Sequence, residues 1–441
     1  MKLFSTFEKA YCISEYRAPE KFTVEEVEES FGAITSPADL SDEQRSALYN
    51  VLTWALPDAN QTPLLTLGGH AGAGKTTLLG VLASTWSNRR VAYCALTGRA
   101  TSILRRTLRR AGATPSFIGT IHSLFYRPKT DSKGNLRGFS RVDPSDIADN
   151  YDVIVVDEAS MIDENLARDI LEPGVPVLAV GDHGQLPPIN GPSVWMSDPD
   201  IRLETIHRQA ENSPIIALST HVRTGKTLHS FHFDPELQEV DWIHPGQFNE
   251  QLDVAYKKYT PREVAVLVYT NKNRVMLNRY AHYLWTGQSP QAEDPPPKNS
   301  WVICLKNQYD LGLTNGMRGF LESDAEEHRE HWYRSRTYFP NEHLVVTGDC
   351  MKYQFDRPSQ LSDLAEIQQL CRSSDSPKWG QVGLLFDYGY ALTVHKAQGG
   401  QFKHVFLVVE RPYRVTAEDF QRWLYTGVTR ASTKVTIVAP M

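Results

Sequence analysis

One short stretch, residues 69–76, constrains this chain more than any other. It reads Gly-His-Ala-Gly-Ala-Gly-Lys-Thr, which is a glycine, four residues and then Gly-Lys-Thr. An apolar run at residues 63–67 precedes it, and a helical pattern at residues 77–86 follows. In a strand-loop-helix context, such glycines turn consecutive backbone N–H groups toward a phosphate at the positive end of the new helix. The stretch therefore predicts a nucleotide-binding loop.

The chemistry of each residue type assigns roles within this loop. Lys75 is expected to reach the β- and γ-phosphates, and the Thr76 hydroxyl is expected to hold Mg²⁺. The remaining predicted nucleotide-binding residues are Gly69, Gly72 and Gly74, through their backbone, and Thr77. Nucleotide binding by itself does not show which process the hydrolysis of the nucleotide drives.

Length and composition are those of an ordinary soluble protein. The chain has 441 residues, of which 41% are hydrophobic and 22% charged, and such a length suggests about three domains. No apolar run approaches the roughly 18 to 20 residues of a membrane span, and the first residues lack a signal-peptide core. The five cysteines are scattered without a Cys-x-x-Cys pair, which indicates neither a disulfide framework nor a zinc site. We expect a cytoplasmic protein without membrane association.

The charge is distributed unevenly along the chain. The net charge is −6, yet residues 89–141 contain twelve Lys or Arg and a single acid, Asp131. Clustered cations, not the global sum, set the local potential, so this stretch is typical of a track for a phosphate backbone. A solvated helix face explains the same composition equally well.

Strands and helices alternate after the loop. Such alternation, with apolar strands, predicts a parallel sheet that is covered on both faces and binds ligands at the carboxyl ends of its strands. The predicted strands are 90–96, 152–156 and 175–180, and the predicted helices are 99–110 and 164–171.

Polar residues follow two of these strands. Asp157 and Glu158 come after strand 152–156; Asp157 would hold the Mg²⁺ shell and Glu158 would orient and deprotonate the attacking water. An Asp-Glu pair at this position is otherwise an ordinary helix N-cap. Gln185 follows strand 175–180 and is placed to sense the γ-phosphate.

A second α/β region, without a phosphate loop of its own, lies near the end of the chain. It contains strands 263–269, 405–409 and 435–438 and the helix 417–425. Such a region can contribute arginines that neutralise charge on a transferred phosphoryl group, and Arg208 and Arg430 are the candidates. Taken alone, either arginine is better explained by an ordinary salt bridge.

Two stretches interrupt the alternation and define the predicted domains. Residues 127–143 are basic and polar, with a hairpin tip at residues 133–135, and residues 286–378 begin with several prolines and continue as short strand-like runs. The predicted boundaries are an N-terminal extension at 1–40, a first domain at 41–225, a second domain at 226–285 and 379–441, and a β insertion at 286–378.

Taken in order, these motifs resemble superfamily 1 helicases, and within them the RecD-like 5′-to-3′ branch that includes the Dda-type phage helicases. The Gln-Leu-Pro-Pro sequence at 185–188 differs from the 3′-to-5′ relatives, and Glu-Ala-Ser-Met at 158–161 differs from the RNA-helicase branch. The segments that carry the resemblance are 69–76, 97–100, 119–122, 157–161, 181–188, 270–272, 393–399 and 425–430.

The resemblance implies two RecA-like parallel-sheet motor domains of the P-loop NTPase class that use ATP and Mg²⁺. It implies a strand-splitting pin at the hairpin, an SH3-like fold for the insertion, and two arginine fingers, Arg208 and Arg430. Gln44 matches the adenine-reading glutamine, although a lone surface glutamine is the simpler reading of that residue. The implied DNA-binding residues are Thr97, Arg99, Thr120, His122, Asn271, Thr393, His395, Lys396 and Gln398.

The expected function is that of an ATP-dependent DNA helicase in phage or bacterial replication, recombination or repair. Its expected partners are single-stranded DNA, forked or tailed duplex DNA, and replication or single-strand-binding proteins, with a monomeric motor. Bases would stack on aromatic side chains, for which Phe125, Tyr126, Phe139 and Tyr388 are candidates, each with a core position as the alternative. An RNA-directed helicase and a nucleic-acid-independent ATPase switch or assembly factor remain alternatives.

Overall fold

The computed structural model divides the chain into two units. The described residues are 40–55, 62–130, 136–188, 191, 193–205, 213–234, 236, 238–290, 294–308, 311–359, 361 and 383–440. The first unit runs to Leu96 and adds Ala100–Arg127 and Phe139–Asn212. The second comprises Thr97–Arg99, Pro128–Gly138 and Ser213–Met441. Within the described ranges, no helix is both long and apolar enough to cross a membrane.

A parallel six-stranded sheet forms the first unit. Its strand order is β3-β2-β6-β7-β1-β8, and every pairing in it is parallel. The strands are β1 Leu64–Gly69, β2 Val91–Ala95, β3 Phe117–Thr120, β6 Val153–Asp157, β7 Val177–Gly181 and β8 Ile201–Leu203. The helices are α1 Asp42–Trp54, α2 Lys75–Thr85, α3 Gly98–Arg110, α4 Ile121–Phe125, α5 Pro144–Asn150 and α6 Glu164–Leu171, with a 3-10 helix at Ala159–Met161.

Strand β6 shows why this sheet is covered on both faces. Successive side chains of a strand point to opposite faces. Val153 and Val155 pack in one hydrophobic core, whereas Ile154 and Val156 pack in the other. A strand that is apolar at consecutive positions is therefore stable only between two helical layers, and its carboxyl end is left as the place for polar residues.

The second unit contains a parallel five-stranded sheet of order β17-β10-β18-β19-β9. Its strands are β9 Val240–Ile243, β10 Val264–Val268, β17 Ala391–Thr393, β18 Phe402–Val408 and β19 Ala431–Val438. Its helices are α7 Pro214–Arg223, α8 Phe248–Lys258, α9 Asn271–Thr286, α10 Val394–Ala397 and α11 Ala417–Val428, with 3-10 helices at Leu228–Ser230, Pro245–Gln247 and Lys352–Gln354. The two parallel α/β sheets confirm the predicted fold class.

An antiparallel six-stranded sheet lies between α9 and β17 in sequence. Its order is β13-β14-β12-β11-β16, with β15 paired to β14. The strands are β11 Trp301–Cys304, β12 Arg318–Leu321, β13 Glu326–Arg329, β14 Trp332–Phe339, β15 Leu344–Met351 and β16 Phe386–Tyr388. The sheet reaches past residue 378, where the sequence placed the end of the insertion. Its SH3-like character remains a prediction.

One domain boundary differs from the prediction. The sequence placed residues 213–225 in the first domain, whereas α7 belongs to the second unit. Its apolar residues Ile215, Leu218 and Val222 are buried, and the helix packs against α11 and β19. Helical periodicity shows that a helix has an apolar face but not which sheet covers that face.

The basic stretch contains a separate two-stranded sheet. Strand β4, Tyr126–Thr130, pairs with β5, Leu136–Arg141. The hairpin tip predicted at residues 133–135 lies outside the described residues.

Candidate nucleotide site and nucleic-acid interface

The phosphate loop follows β1 and leads directly into α2. Gly72 and Gly74 have φ values of 83° and 81°, a left-handed conformation that glycine adopts without steric cost. Lys75 bends back over the loop, and its Nζ donates to the carbonyls of Gly69 at 2.5 Å and His70 at 3.0 Å. The exposed Thr76 lies in the first turn of α2. Loop and helix thus have the strand-loop-helix form that the spacing predicts, and phosphate binding by this loop stays a prediction.

Gln44 contacts this loop from α1. Its side chain completes a capping box with Ser41, and its Nε2 lies 3.5 Å from the Ala73 carbonyl and 3.4 Å from the Gly74 carbonyl. The side chain is buried, so the surface-glutamine reading is wrong. Its adenine-reading role stays a prediction.

Two adjacent carboxylates lie at the carboxyl end of β6. Burial, with the neighbouring carboxylate of Glu158, raises the pKa of Asp157, and Lys75 opposes that rise. Glu158 has a φ of 56°, a conformation that costs a non-glycine residue of order 1–3 kcal/mol and clusters at functional sites. Hydroxyl and carboxylate oxygens are ligand atoms that suit Mg²⁺, so the donor types of Thr76 and Asp157 fit the predicted ion, whose binding stays a prediction.

The segment after β7 supplies a third polar group. Asp182 is buried and accepts hydrogen bonds from the Gly184 amide at 2.9 Å and from Nε2 of Gln185 at 3.2 Å. The Oε1 of Gln185 is buried without a hydrogen-bond partner among the described residues. Because β1 and β6 both pair with β7, the residues that follow these three strands lie at one edge of the sheet.

Two predicted DNA-binding motifs share one local structure. Thr120 ends β3 and caps α4, where its hydroxyl accepts from the Ser123 amide, and His122 lies in that short helix. Thr393 ends β17 and caps α10 in the same way, through the Lys396 amide, and His395 lies in that helix. Burial lowers the pKa of both histidines. Each unit therefore presents a Thr-x-His segment at the carboxyl end of an edge strand.

Other predicted DNA-binding residues gather at one pocket of the second unit. Thr97, Arg99, Lys396 and Gln398 line it, with Phe402. The guanidinium of Arg99 lies 3.9 Å from the centre of the Phe402 ring and donates to the Gln401 carbonyl. Burial lowers the pKa of Lys396 to about 8.

Comparisons with known proteins agree with these motifs. A family model described as an AAA domain matches residues 39–247, and one described as a UvrD-like helicase C-terminal domain matches residues 388–438. The ATP-dependent DNA helicase dda of Enterobacteria phage T4 is 29% identical over 89% of this chain and 97% of its own length. The ATP-dependent RecD2 DNA helicase of Deinococcus radiodurans is 26% identical over 89% of this chain.

The chain is therefore similar to RecD-like DNA helicases of superfamily 1B. It spans 48% of the length of the RecD2 protein. Among solved structures, a Bacteroides Pif1 helicase in complex with ADP-AlF3 and single-stranded DNA has 16% identity and a TM-score of 0.49, over 90% of this chain and 92% of that one.

The remaining predicted site residues have different placements. Arg430 is buried, and its guanidinium donates to the carbonyls of Thr426 at 3.1 Å and Gly400 at 3.2 Å. Asn271 accepts from Arg274 at 3.0 Å in the first turn of α9. Arg208 lies outside the described residues.

Two of the proposed stacking aromatics are core residues. Phe125 packs in the first unit's core and Tyr388 in the second unit's, because both continue the apolar face of the strand or helix that carries them. Tyr126 is half-buried, stacks on His122 at 5.4 Å between ring centres, and donates to Asp169. The side chain of Phe139 lies outside the described residues.

Sequence reasoning missed two groups of residues near the motifs. Glu410, after β18, accepts from the amide of Thr270 at 2.8 Å and from its hydroxyl at 3.0 Å, and so fixes the loop before α9. His70, His183 and Glu204 lie together beside the phosphate loop. A position within two residues of the end of an apolar strand was the available signal in each case.

Proposed function

We propose that this chain is an ATP-dependent DNA helicase that moves 5′-to-3′ on single-stranded DNA and unwinds duplex DNA in phage or bacterial DNA metabolism. One observation carries the proposal: Lys75, the Asp157-Glu158 pair and Gln185 follow neighbouring strands of one parallel sheet. That arrangement supplies a phosphate anchor, a general base and a γ-phosphate sensor. The RecD-like relatives named above support DNA as the track.

Each group has a proposed role in hydrolysis. Lys75 binds the β- and γ-phosphates, and Glu158 orients the attacking water and accepts its proton. Thr76 and Asp157 hold Mg²⁺, which neutralises phosphate charge when bound. Gln44 reads adenine, Gln185 senses the γ-phosphate, and Arg208 and Arg430 stabilise charge on the transferred phosphoryl group.

The two Thr-x-His segments and the pocket residues are proposed to hold the DNA strand. Hydroxyl, imidazole and backbone donors suit this task because phosphate contacts position a strand without reading its sequence. The same proposal includes a monomeric motor, a cytoplasmic location, and replication or single-strand-binding proteins as partners.

Strand separation of two partial duplexes tests the function. One duplex carries a 5′ single-stranded tail and the other a 3′ tail, and both are supplied with excess ATP and Mg²⁺. Unwinding of only the 5′-tailed duplex is expected. Unwinding of only the 3′-tailed duplex would overturn the polarity, and ATPase activity that neither DNA nor RNA stimulates would favour a switch or assembly factor.

Lys75→Ala tests the site independently of polarity. The variant is expected to lose hydrolysis and to retain binding of single-stranded DNA. Retained turnover would contradict the assignment of the phosphate loop.

A further inference from the structure

Three side chains meet beside the phosphate loop, each from the end of a different strand. His70 follows β1, His183 follows β7, and Glu204 follows β8. Strands β7, β1 and β8 are consecutive neighbours in the sheet and run parallel, so their carboxyl ends bring together residues that are far apart in sequence. The two imidazole rings lie 4.1 Å apart between centres.

The potential ligand atoms of the three residues lie close enough together to bind one small ion. Nε2 of His70 lies 3.2 Å from one carboxylate oxygen of Glu204, and Nε2 of His183 lies 3.4 Å from the other. One potential ligand atom from each residue lies within 4.8 Å of the others. Bonds of 2.0 to 2.2 Å in a tetrahedron separate ligand atoms by about 3.4 Å. Two histidines and one glutamate form a donor set that proteins use for zinc.

Surrounding residues hold these three side chains in place. Oδ1 of the buried Asp182 lies 3.5 Å from Nδ1 of His70, the carboxylate-histidine arrangement that orients metal ligands. The carboxylate of Glu43 accepts from the amides of Glu204 and Thr205, both at 2.9 Å. A Cβ on Gly68 would lie 2.9 Å from Nδ1 of His183, so a glycine there leaves room for the ring.

We propose that His70, His183 and Glu204 form a binding site for a divalent transition-metal ion of the Zn²⁺ class, separate from the Mg²⁺ site at Thr76 and Asp157. Two imidazole nitrogens select for Zn²⁺ and its neighbours in the first transition row, whereas Mg²⁺ requires oxygen ligands. Because His70 lies within the phosphate loop and its carbonyl accepts from Lys75, the ion ties the loop that carries Lys75 to the ends of β7 and β8.

Zn²⁺ titration of the full chain by isothermal calorimetry tests the proposal. The protein is first treated with a chelator and contains neither nucleotide nor DNA, so the result is independent of helicase activity. One Zn²⁺ per chain is expected, and millimolar Mg²⁺ should not displace it. Failure to bind Zn²⁺, or displacement by Mg²⁺, would overturn the site.

Variants locate the ion. His183→Ala and Glu204→Gln are expected to weaken Zn²⁺ binding about tenfold or more, and Asp182→Asn to weaken it about tenfold. The exposed residues His232 and Glu250 provide matched controls, and His232→Ala and Glu250→Gln should bind within about twofold of wild type. Equal binding by all variants would assign the ion to other histidines and overturn the site.

Co²⁺ provides a measurement that requires no variant to fold. Wild-type protein with one equivalent of Co²⁺ is expected to show the intense visible absorption of a four-coordinate ion with nitrogen ligands. The weak absorption of a six-coordinate ion would instead leave the three residues as a hydrogen-bonded cluster and overturn the proposal.

Discussion

The side chain of Asn278 holds both backbone polar groups of Ala391. Its Oδ1 accepts from the Ala391 amide at 2.7 Å, and its Nδ2 donates to the Ala391 carbonyl at 3.1 Å. The same Oδ1 accepts from the Tyr390 amide at 2.9 Å. These bonds attach α9 to edge strand β17, which leads into Thr393 and His395. The buried side-chain amide of Asn278, on the helix that begins in segment 270–272, therefore fixes the backbone that leads into segment 393–399.

Asn278→Ala should destabilise the protein. Asn278 is 1% exposed, so its removal leaves three buried backbone groups without partners, each at a cost of about 1–3 kcal/mol before relaxation. We expect a loss on the order of 3 kcal/mol in the free energy of unfolding, measured by urea denaturation. Asn249→Ala, at an exposed position of α8, is the control and should change stability by less than about 0.5 kcal/mol. Equal stability of the two variants would show that the hydrogen bonds of Asn278 do not stabilise the protein.

Stability should fall in mild acid partly because of His404. Burial, with the positive charges of Lys434 and Lys258, lowers the pKa of His404 to about 3, against about 6.5 in an unfolded chain. The neutral ring hydrogen-bonds Thr436 at 2.8 Å. As the pH falls, His404 is therefore protonated in the unfolded state before it is protonated in the folded state. The stabilisation is complete above about pH 6.5 and decreases as the pH falls toward 3, by about 1.4 kcal/mol per pH unit.

Urea denaturation of His404→Gln at about pH 7 and pH 5 checks this sign. The variant should lose about 2 kcal/mol less than wild type between the two pH values. His232→Gln, at an exposed position, should behave as wild type. A wild-type pH dependence in His404→Gln would show that other groups cause the acid sensitivity.

Glu158→Gln should separate ATP binding from ATP hydrolysis. The amide keeps the shape of the side chain but cannot accept a proton from water, so turnover should fall by roughly 10²- to 10⁴-fold while nucleotide affinity is retained. Steady-state ATPase assays and nucleotide titration measure the two quantities. Glu164→Gln, at an exposed position of α6, should hydrolyse ATP at the wild-type rate. Normal turnover in Glu158→Gln would assign the base to another residue.

Deleting residues 133–135 should uncouple unwinding from movement along the strand. The deletion shortens the connection between β4 and β5, the proposed pin, and leaves the motor sheets intact. DNA-stimulated ATPase activity should persist while separation of the 5′-tailed duplex is lost. Normal unwinding by the variant would remove the pin hypothesis.

The sequence predicted most accurately the strands and helices whose pattern lies within one chain segment. The predicted strand 152–156 appears as Val153–Asp157, and the predicted helix 164–171 has the same bounds in the structure. Apolar strands and capped helices have local periodicities, so one chain segment contains the necessary information. Helix α7 was assigned to the wrong unit because its periodicity is compatible with packing on either sheet.

The sequence by itself determined the two α/β regions, the phosphate loop and the carboxylates that follow a buried strand, because glycine spacing, apolar runs and strand ends are local properties. Only the tertiary structure decided that Asn278 binds Ala391 and that His70, His183 and Glu204 meet. These contacts depend on which strands become neighbours, and strand order is set by the packing of the whole sheet. The strand order that places Lys75 and Glu158 at the same end of the sheet also brings His70 and His183 next to Glu204.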